Sequence, residues 1–141
     1  MGAAVGTAFA TGKRTLLISG DGSFVMGMPE LTTAVEHHLP IVILLIHNGV
    51  LGLVRQMQTM YFEKRYAGTV LPQNTDFVAL VKAFGGDGVR VTCIDELKAA
   101  LDSGFSDGVF LIDCIIDEDE LVLPVLPSDG TADDLIVKVV D

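Results

Sequence analysis

Cysteine is scarce in this sequence and tryptophan is absent. The two cysteines, Cys93 and Cys114, lie far apart, and neither has a second Cys or a His nearby. The sequence therefore indicates neither a zinc site nor a CxxC redox motif. Cys114 falls within the apolar segment VFLIDCII, and we expect it to be a small buried hydrophobic residue.

Basic residues are also few, with 9 Lys and Arg against 19 Asp and Glu and a net charge of −10. The excess of acid lies in residues 102–141, where Lys138 is the single basic residue. Because nucleic acids are bound by clustered Lys and Arg, we expect no nucleic-acid partner. The acidic run DEDE at 117–120 lacks the alternating acids of a calcium loop, so we expect a solvated loop in preference to a metal site.

Long apolar runs are absent as well. The longest, LPIVILLI, is far below the ~18 residues of a membrane span. Lys13 and Arg14 follow the small apolar residues at the start of the chain, whereas a secretory signal has its charges first. We therefore expect a cytoplasmic protein with no membrane partner. Half of the residues are nevertheless apolar and the mean hydropathy is +0.51, which indicates that some surface is buried against a partner.

The sequence does contain an alternation of short apolar runs with longer segments of helical period. The runs predict strands at TLLIS (15–19), IVILLIH (41–47), GVRVT (88–92) and VFLIDCII (109–116). Three of them are too continuously apolar to be solvated on one face. The pattern predicts an α/β fold, a three-layer doubly wound parallel sheet, as a single domain over residues 1–141.

Four apolar stripes predict helices between the strands. They are Met28, Leu31 and Val35; Leu53, Val54, Met57, Met60 and Tyr61; Phe77, Leu80, Val81 and Phe84; and Ile94, Leu97 and Leu101. Asn74 or Thr75 is expected to cap the third helix, and Thr92 with Asp95 to form a capping box at the fourth. Residues 1–14 predict a further helix without a cap or preceding strand, so we expect the chain to begin partway into a domain.

Two polar side chains stand where the first two predicted strands end. Asp21 lies between two glycines, and Asn48 follows the second strand one crossover later. If the strands are neighbours at ~4.8 Å, both side chains emerge at one edge of the sheet. Their oxygens suit Mg2+ that takes its further ligands from a phosphate. Gly22 lets the backbone come close to such a phosphate, and the Ser23 amide could point at it. Asp21 alone is typical of a turn; its pairing with Asn48 favours a binding site.

The motif GDGSF, followed by the Asn of HNG, resembles the diphosphate and magnesium motif of thiamine diphosphate enzymes, which is GDG and then NN. The resemblance continues through PELTTAVEHHLPIVILLIHNGVLGLV, YFEKRY, DFVALVKAFG, GVRV, DELKAAL and VLPVLP. Together these segments, which cover essentially the whole chain, are similar to the C-terminal, diphosphate-binding domain of acetolactate synthase large subunits. The similarity is more specific for the cofactor than for the reaction.

The resemblance implies a role for each residue of the site. The metal ligands would be Asp21, Asn48 and the backbone carbonyl of Val50. The other cofactor-binding residues would be Gly20, Gly22 and Ser23 at the diphosphate, with Leu51 and Gly52 beside the cofactor. No residue of this chain is expected to be catalytic, because the covalent chemistry belongs to the cofactor's thiazolium ring.

Three departures from the family pattern qualify this assignment. His47 replaces the first Asn of NN, and we expect it to make a strand-end hydrogen bond in preference to binding the metal. Met57 replaces a Trp that is typical of the substrate channel, which weakens the substrate assignment; packing on a helix face explains Met57 equally well. The glutamate that activates the cofactor belongs to a separate N-terminal domain in this family, and no segment here corresponds to it. The resemblance also implies that the family domain's first strand precedes residue 1.

The resemblance thus implies part of an enzyme that decarboxylates and ligates 2-oxo acids such as pyruvate. The alternatives are a related decarboxylase or carboligase, or a non-catalytic remnant or interaction module that keeps the fold. We expect a homo-oligomer in which the pyrimidine-binding domain comes from the same or another chain, and we expect the isolated chain to be inactive. FAD could be bound by a longer parent, but not by this chain.

Overall fold

The computed structural model describes residues 1–71, 75–102, 107–127 and 129–138. The chain divides into two compact units. The first unit consists of residues 1–49 and 71–117, and the second of residues 50–70 and 118–141. The prediction of one domain over residues 1–141 stays a prediction.

A parallel sheet of four strands is the centre of the first unit. The strands are β1 (Thr15–Gly20), β2 (Ile41–His47), β3 (Asp87–Val91) and β4 (Val109–Ile115), in the spatial order β1-β2-β4-β3. Every neighbouring pair is parallel. The four predicted strands and the α/β parallel-sheet class are therefore confirmed.

Helices cover both faces of this sheet. The helices of the first unit are α1 (Gly2–Thr11), α2 (Asp21–Gly27), α3 (Leu31–Glu36), α5 (Phe77–Ala83) and α6 (Ile94–Asp102), with a 3-10 turn at Met28–Glu30. One core contains Ile43, Leu45 and Leu111 under α1, α2, α3 and α5. The other contains Val42 and Ile112 under α6, together with Cys114. The prediction that Cys114 is buried is confirmed.

Several local predictions need correction. Helix α2 was not predicted. It begins directly at Asp21, because Gly20 keeps an extended backbone and a carboxylate is favourable in a first turn. The cap of α5 is Asp76, whose side chain accepts the Ala79 N–H, and not Thr75; Asn74 lies outside the described residues. At α6, Thr92 is bound by Glu96 and not by Asp95.

The second unit contains α4 (Gly52–Tyr61) and the segment that follows Glu118. It also contains a 3-10 turn at Ala132–Asp134 and an antiparallel bridge between Val125 and Ile136. Helix α4 was predicted, but its buried side is not the apolar stripe: Arg55 and Gln56 are buried, while Leu53, Val54, Met57 and Tyr61 are exposed. The polar side is buried because both residues bind other segments of the unit.

Arg55 binds the acidic run that the sequence predicted to be solvated. Its guanidinium donates to Asp119 at 2.7 Å and to Glu118 at 2.9 Å, and it lies over the Tyr66 ring. Gln56 bonds both backbone groups of Val122. Both acids remain more than half exposed, and no cluster of three or more His, Cys, Asp or Glu side chains that could hold a metal occurs in the described ranges. In those ranges no helix is long and apolar enough to cross a membrane.

Candidate functional site

The carboxyl ends of β1 and β2 meet at one edge of the sheet. Gly20 of β1 is in register with Ile46 of β2, so Asp21 emerges beside His47, and Asn48 is the next residue of the chain. The sheet thus brings Asp21 and the His47–Asn48 pair together, as the spacing of one crossover predicted.

The Asp21 carboxylate is buried and held by backbone donors. Its Oδ2 accepts the N–H of Gly49 at 2.8 Å, and its Oδ1 accepts the N–H of Gly22 at 2.9 Å. The side chain is only 3 % exposed. Gly49 adopts a left-handed backbone with φ of 69°, a conformation that glycine takes without steric cost and that turns its N–H toward the carboxylate. These two donors therefore fix the orientation of the carboxylate.

The other predicted site residues are divided between the two units. Asn48 is half-buried at the end of β2, Gly20 ends β1, and Gly22 and Ser23 lie in the first turn of α2. The remaining three belong to the second unit: Val50 forms an antiparallel bridge with Val70, Leu51 donates its N–H to the Thr69 carbonyl, and Gly52 begins α4. Met57 of α4 is 44 % exposed.

A row of polar side chains crosses the sheet next to Asp21, and the sequence did not predict it. His47 Nδ1 lies 2.9 Å from Asp113 Oδ1, and Arg90 Nε donates to Asp113 Oδ2 at 2.9 Å. Asp113 is fully buried. The expected hydrogen bond of His47 is present, and its partner is this carboxylate. The feature of the sequence that could have predicted this row was a pair of charged residues inside two apolar strands, Arg90 and Asp113.

The register explains why these residues meet. Asp113 of β4 lies opposite Arg90 of β3 and Leu45 of β2, and His47 follows two residues after Leu45 on the same face. The hydrogen bond to Asp113 raises the pKa of Arg90 above its ordinary value. Arg90 also lies 3.4 Å from Asp76, the cap of α5. A buried carboxylate is thus paired with a cation that reaches solvent, which limits the cost of burying it.

The donor set fits a hard divalent cation. A carboxylate and an amide oxygen stand at the ends of two adjacent parallel strands, and such oxygens are preferred by Mg2+, which commonly completes its shell with water and substrate phosphate. In open α/β sheets, ligands bind beyond the carboxyl ends of the strands. The fold and the donors together are typical of one class of protein, the α/β domains that bind a phosphate-containing ligand at a strand edge.

Comparison with known families narrows this class. Residues 1–114 match the family described as "Thiamine pyrophosphate enzyme, C-terminal TPP binding domain", where thiamine pyrophosphate is thiamine diphosphate. The chain belongs to this family, and the resemblance drawn from GDGSF and HNG is confirmed.

Curated relatives point in the same direction. The chain is 43 % identical over 138 residues to the acetolactate synthase isozyme 2 large subunit of Escherichia coli (strain K12), covering 96 % of this chain and 25 % of the relative. It is 39 % identical over 132 residues to the acetolactate synthase large subunit of Corynebacterium glutamicum, covering 89 % of this chain and 21 % of the relative. The chain thus spans about a quarter of the length of these relatives, and its domain is acetolactate synthase-like.

A solved structure supports the fold assignment. The thiamine diphosphate-dependent 4-hydroxybenzoylformate decarboxylase of Rhodococcus jostii RHA1 matches with a TM-score of 0.73 and 28 % identity, over 82 % of this chain and 22 % of that one. The parallel sheet and its flanking helices are therefore those of the thiamine diphosphate-binding domain.

Proposed function

We propose that this chain anchors the diphosphate of thiamine diphosphate through Mg2+, as part of an acetolactate synthase-like enzyme that decarboxylates and ligates 2-oxo acids. The observation that carries the proposal is the Asp21 carboxylate, buried at the end of β1 beside the Asn48 end of β2 and oriented by the Gly49 N–H. A carboxylate that backbone donors hold in one orientation is a preformed oxygen ligand, and Mg2+ prefers oxygen ligands.

Each residue of the site has a proposed part in binding. Asp21 and Asn48 hold Mg2+ through their side chains, and Val50 adds its backbone carbonyl. The remaining cofactor-binding residues are Gly20, Gly22 and Ser23 at the diphosphate and Leu51 and Gly52 beside the cofactor. When bound, the cofactor supplies the carbanion chemistry. The residues of this chain bind and orient it.

The complete enzyme would need more than this chain. We propose that the pyrimidine-binding domain, with its activating glutamate, comes from the same or another chain of a homo-oligomer, and that the 141 residues alone do not turn over a pyruvate-like substrate. The length of the relatives supports this. So does the exposure of Leu16 and Ile18 on β1, which are 54 % and 63 % exposed, since apolar surface of this kind is typical of interaction sites.

Calorimetric titration of the chain with thiamine diphosphate, with and without Mg2+, tests the site. We expect weak binding that depends on Mg2+ and is abolished by Asp21→Ala, because this change removes the charged metal ligand. Asp95→Ala is the matched control: it removes the same charge from an 87 % exposed side chain on α6 and should leave binding unchanged.

Binding that is indifferent to Asp21→Ala would contradict the metal assignment. Reconstitution of the chain with an N-terminal portion of a longer relative distinguishes two hypotheses, part of an enzyme and an interaction module that merely keeps the fold. Activity that appears on mixing and is lost in Asp21→Ala supports the enzyme. Formation of a complex without activity supports the module.

A further inference from the structure

The ring of His47 is held in one orientation beside the proposed cation site. Its Nδ1 lies 2.9 Å from Asp113, and its edge-to-face contact with the Phe77 ring has a centroid distance of 5.1 Å and an interplanar angle of 84°. The side chain is 17 % exposed. A ring with a fixed hydrogen bond and a fixed aromatic neighbour cannot turn freely, so the direction of its second nitrogen is determined.

Asp113 also determines which nitrogen carries the proton. Arg90 Nε donates to the other oxygen of Asp113 at 2.9 Å, so this carboxylate already acts as a hydrogen-bond acceptor. The tautomer that carries its proton on Nδ1 donates this hydrogen bond to Asp113. In the neutral imidazole, Nε2 is then left as an acceptor with a free electron pair.

Nε2 faces Asp21. It lies 3.8 Å from Asp21 Oδ2, which is too long for a hydrogen bond. Two ligands that are each about 2.1 Å from one ion can be at most about 4.2 Å apart, so the separation allows one cation to contact both atoms. Metal-binding histidines almost always donate their other N–H to a carboxylate or carbonyl, and the Asp113–His47 pair has this arrangement.

We propose that His47 Nε2 is an additional ligand of the cation held by Asp21, and that it shifts the preference of the site from Mg2+ toward ions that accept imidazole nitrogen, such as Mn2+ and Co2+. The inference rests on the proposed cation site and extends it to the choice of metal. Carboxylate and water suit Mg2+ and Mn2+ alike, whereas an imidazole nitrogen favours transition ions. Asp113 is a positioning residue that acts through His47.

The first experiment measures metal preference without enzyme activity. Mn2+ binding to the chain is followed by the loss of the free-ion electron paramagnetic resonance signal, with Mg2+ as competitor and with or without thiamine diphosphate. We expect His47→Asn to lower the ratio of Mn2+ to Mg2+ affinity by about tenfold or more. The control is His38→Asn, an equal change at an exposed residue with φ of 51°, a backbone that Asn tolerates.

The second experiment detects the bond itself. Pulsed electron paramagnetic resonance of the Mn2+-loaded chain should show hyperfine coupling to a directly bonded nitrogen, present in His38→Asn and absent in His47→Asn. Circular dichroism melts of each variant establish that it is folded.

Asp113→Asn tests the positioning role. Arg90 has only donors, so the oxygen of the introduced amide is expected to face Arg90 and its NH2 group to face His47 Nδ1. That arrangement moves the histidine proton to Nε2 and removes the acceptor. Mn2+ affinity should then fall by about 10- to 100-fold, and the nitrogen coupling should be lost although His47 is still present.

The outcomes separate this inference from the proposed function. If Mn2+ binds in a manner that depends on Asp21, but shows no nitrogen coupling and an unchanged metal ratio in His47→Asn, the role of His47 is overturned and the cation site stands. If neither ion binds, or if binding is indifferent to Asp21→Ala, the cation site fails and the role of His47 fails with it.

Discussion

The two units of this chain have interiors of different chemistry. In the first, Ile43, Leu45 and Leu111 are fully buried in an apolar core, and polar groups are concentrated at the carboxyl ends of the strands. In the second, the buried side chains of α4 are Arg55 and Gln56. Apolar burial therefore stabilises the first unit, and specific hydrogen bonds connect α4 to the rest of the second.

The two kinds of interior differ in how rigidly they can hold the residues of a binding site. An apolar core is rigid and well packed, so it can hold Asp21 and His47 at fixed positions on the strand edge. A region connected by hydrogen bonds of partly exposed groups opens at lower free energy. The residues proposed to complete the cofactor site, Val50 to Gly52, belong to that second region.

The largest expected effect is on the free energy of unfolding, when a leucine of the first unit and a leucine of the second are each replaced by alanine. Leu111→Ala, in the core of the first unit, should lower the free energy of unfolding by about 2–5 kcal/mol, because it leaves a cavity among fully buried side chains. Leu53→Ala, at a residue of α4 that is 66 % exposed, should change it by less than about 0.5 kcal/mol. Urea denaturation measures both. Equal losses would contradict the assignment of the larger apolar stabilisation to the core that contains Leu111.

A smaller effect is expected within α4 itself. Gln56 is buried and bonds both the N–H and the carbonyl of Val122, whereas Gln58 makes the equivalent pair of bonds to Ala67 where water can reach it. Gln56→Ala should cost about 1–2 kcal/mol, since each net hydrogen bond contributes about 1 kcal/mol. Gln58→Ala should cost less, because water replaces its bonds. Urea denaturation measures both losses of unfolding free energy. If Gln58→Ala loses as much as Gln56→Ala, burial does not strengthen the hydrogen bonds of Gln56.

The sequence predicted the first unit better than the second for a physical reason. Buried strands such as Ile41–His47 are short, continuously apolar runs rich in β-branched residues, so local composition and length identify them and place Asp21 and Asn48 after two strand ends. The partners of Arg55 and Gln56 are distant in sequence, and no local pattern encodes them. The apolar stripe of α4, with Leu53 and Met57, predicted the helix correctly and its buried side wrongly.

The site shows the same division. The positions of Asp21 and Asn48 follow from strand ends and crossover length, which are local properties. The contacts of His47 with Asp113 and Arg90 depend on the order and register of β2, β4 and β3. The sequence did not predict that α2 begins at Asp21, because Gly-Asp-Gly is more often found in turns. Gly20 has an extended backbone since it lies at the end of β1.

The smallest expected effect is the pH dependence of the ion pair between Arg55 and Asp119. The hydrogen bond from Arg55 lowers the pKa of Asp119 below its ordinary value, which is about 3.9 in an unfolded chain. The stabilisation is therefore fully present above about pH 4 and is lost as the pH falls through the lower pKa of the folded state. Asp119→Asn should accordingly lower the melting temperature slightly at pH 7, and the difference from the unaltered chain should shrink on acidification.

The effect is expected to be small because Asp119 is 58 % exposed and solvent screens such pairs. The matched comparison is Asp119→Asn in an Arg55→Gln background, where the largest interaction of Asp119 is removed and the weaker attraction of Lys64 is left, so the pH-dependent effect should be much smaller. A pH dependence that persists undiminished in that background would assign it to a partner of Asp119 other than Arg55. A loss that is largely confined to the background with Arg55 intact would show that the second unit depends on this charge pair.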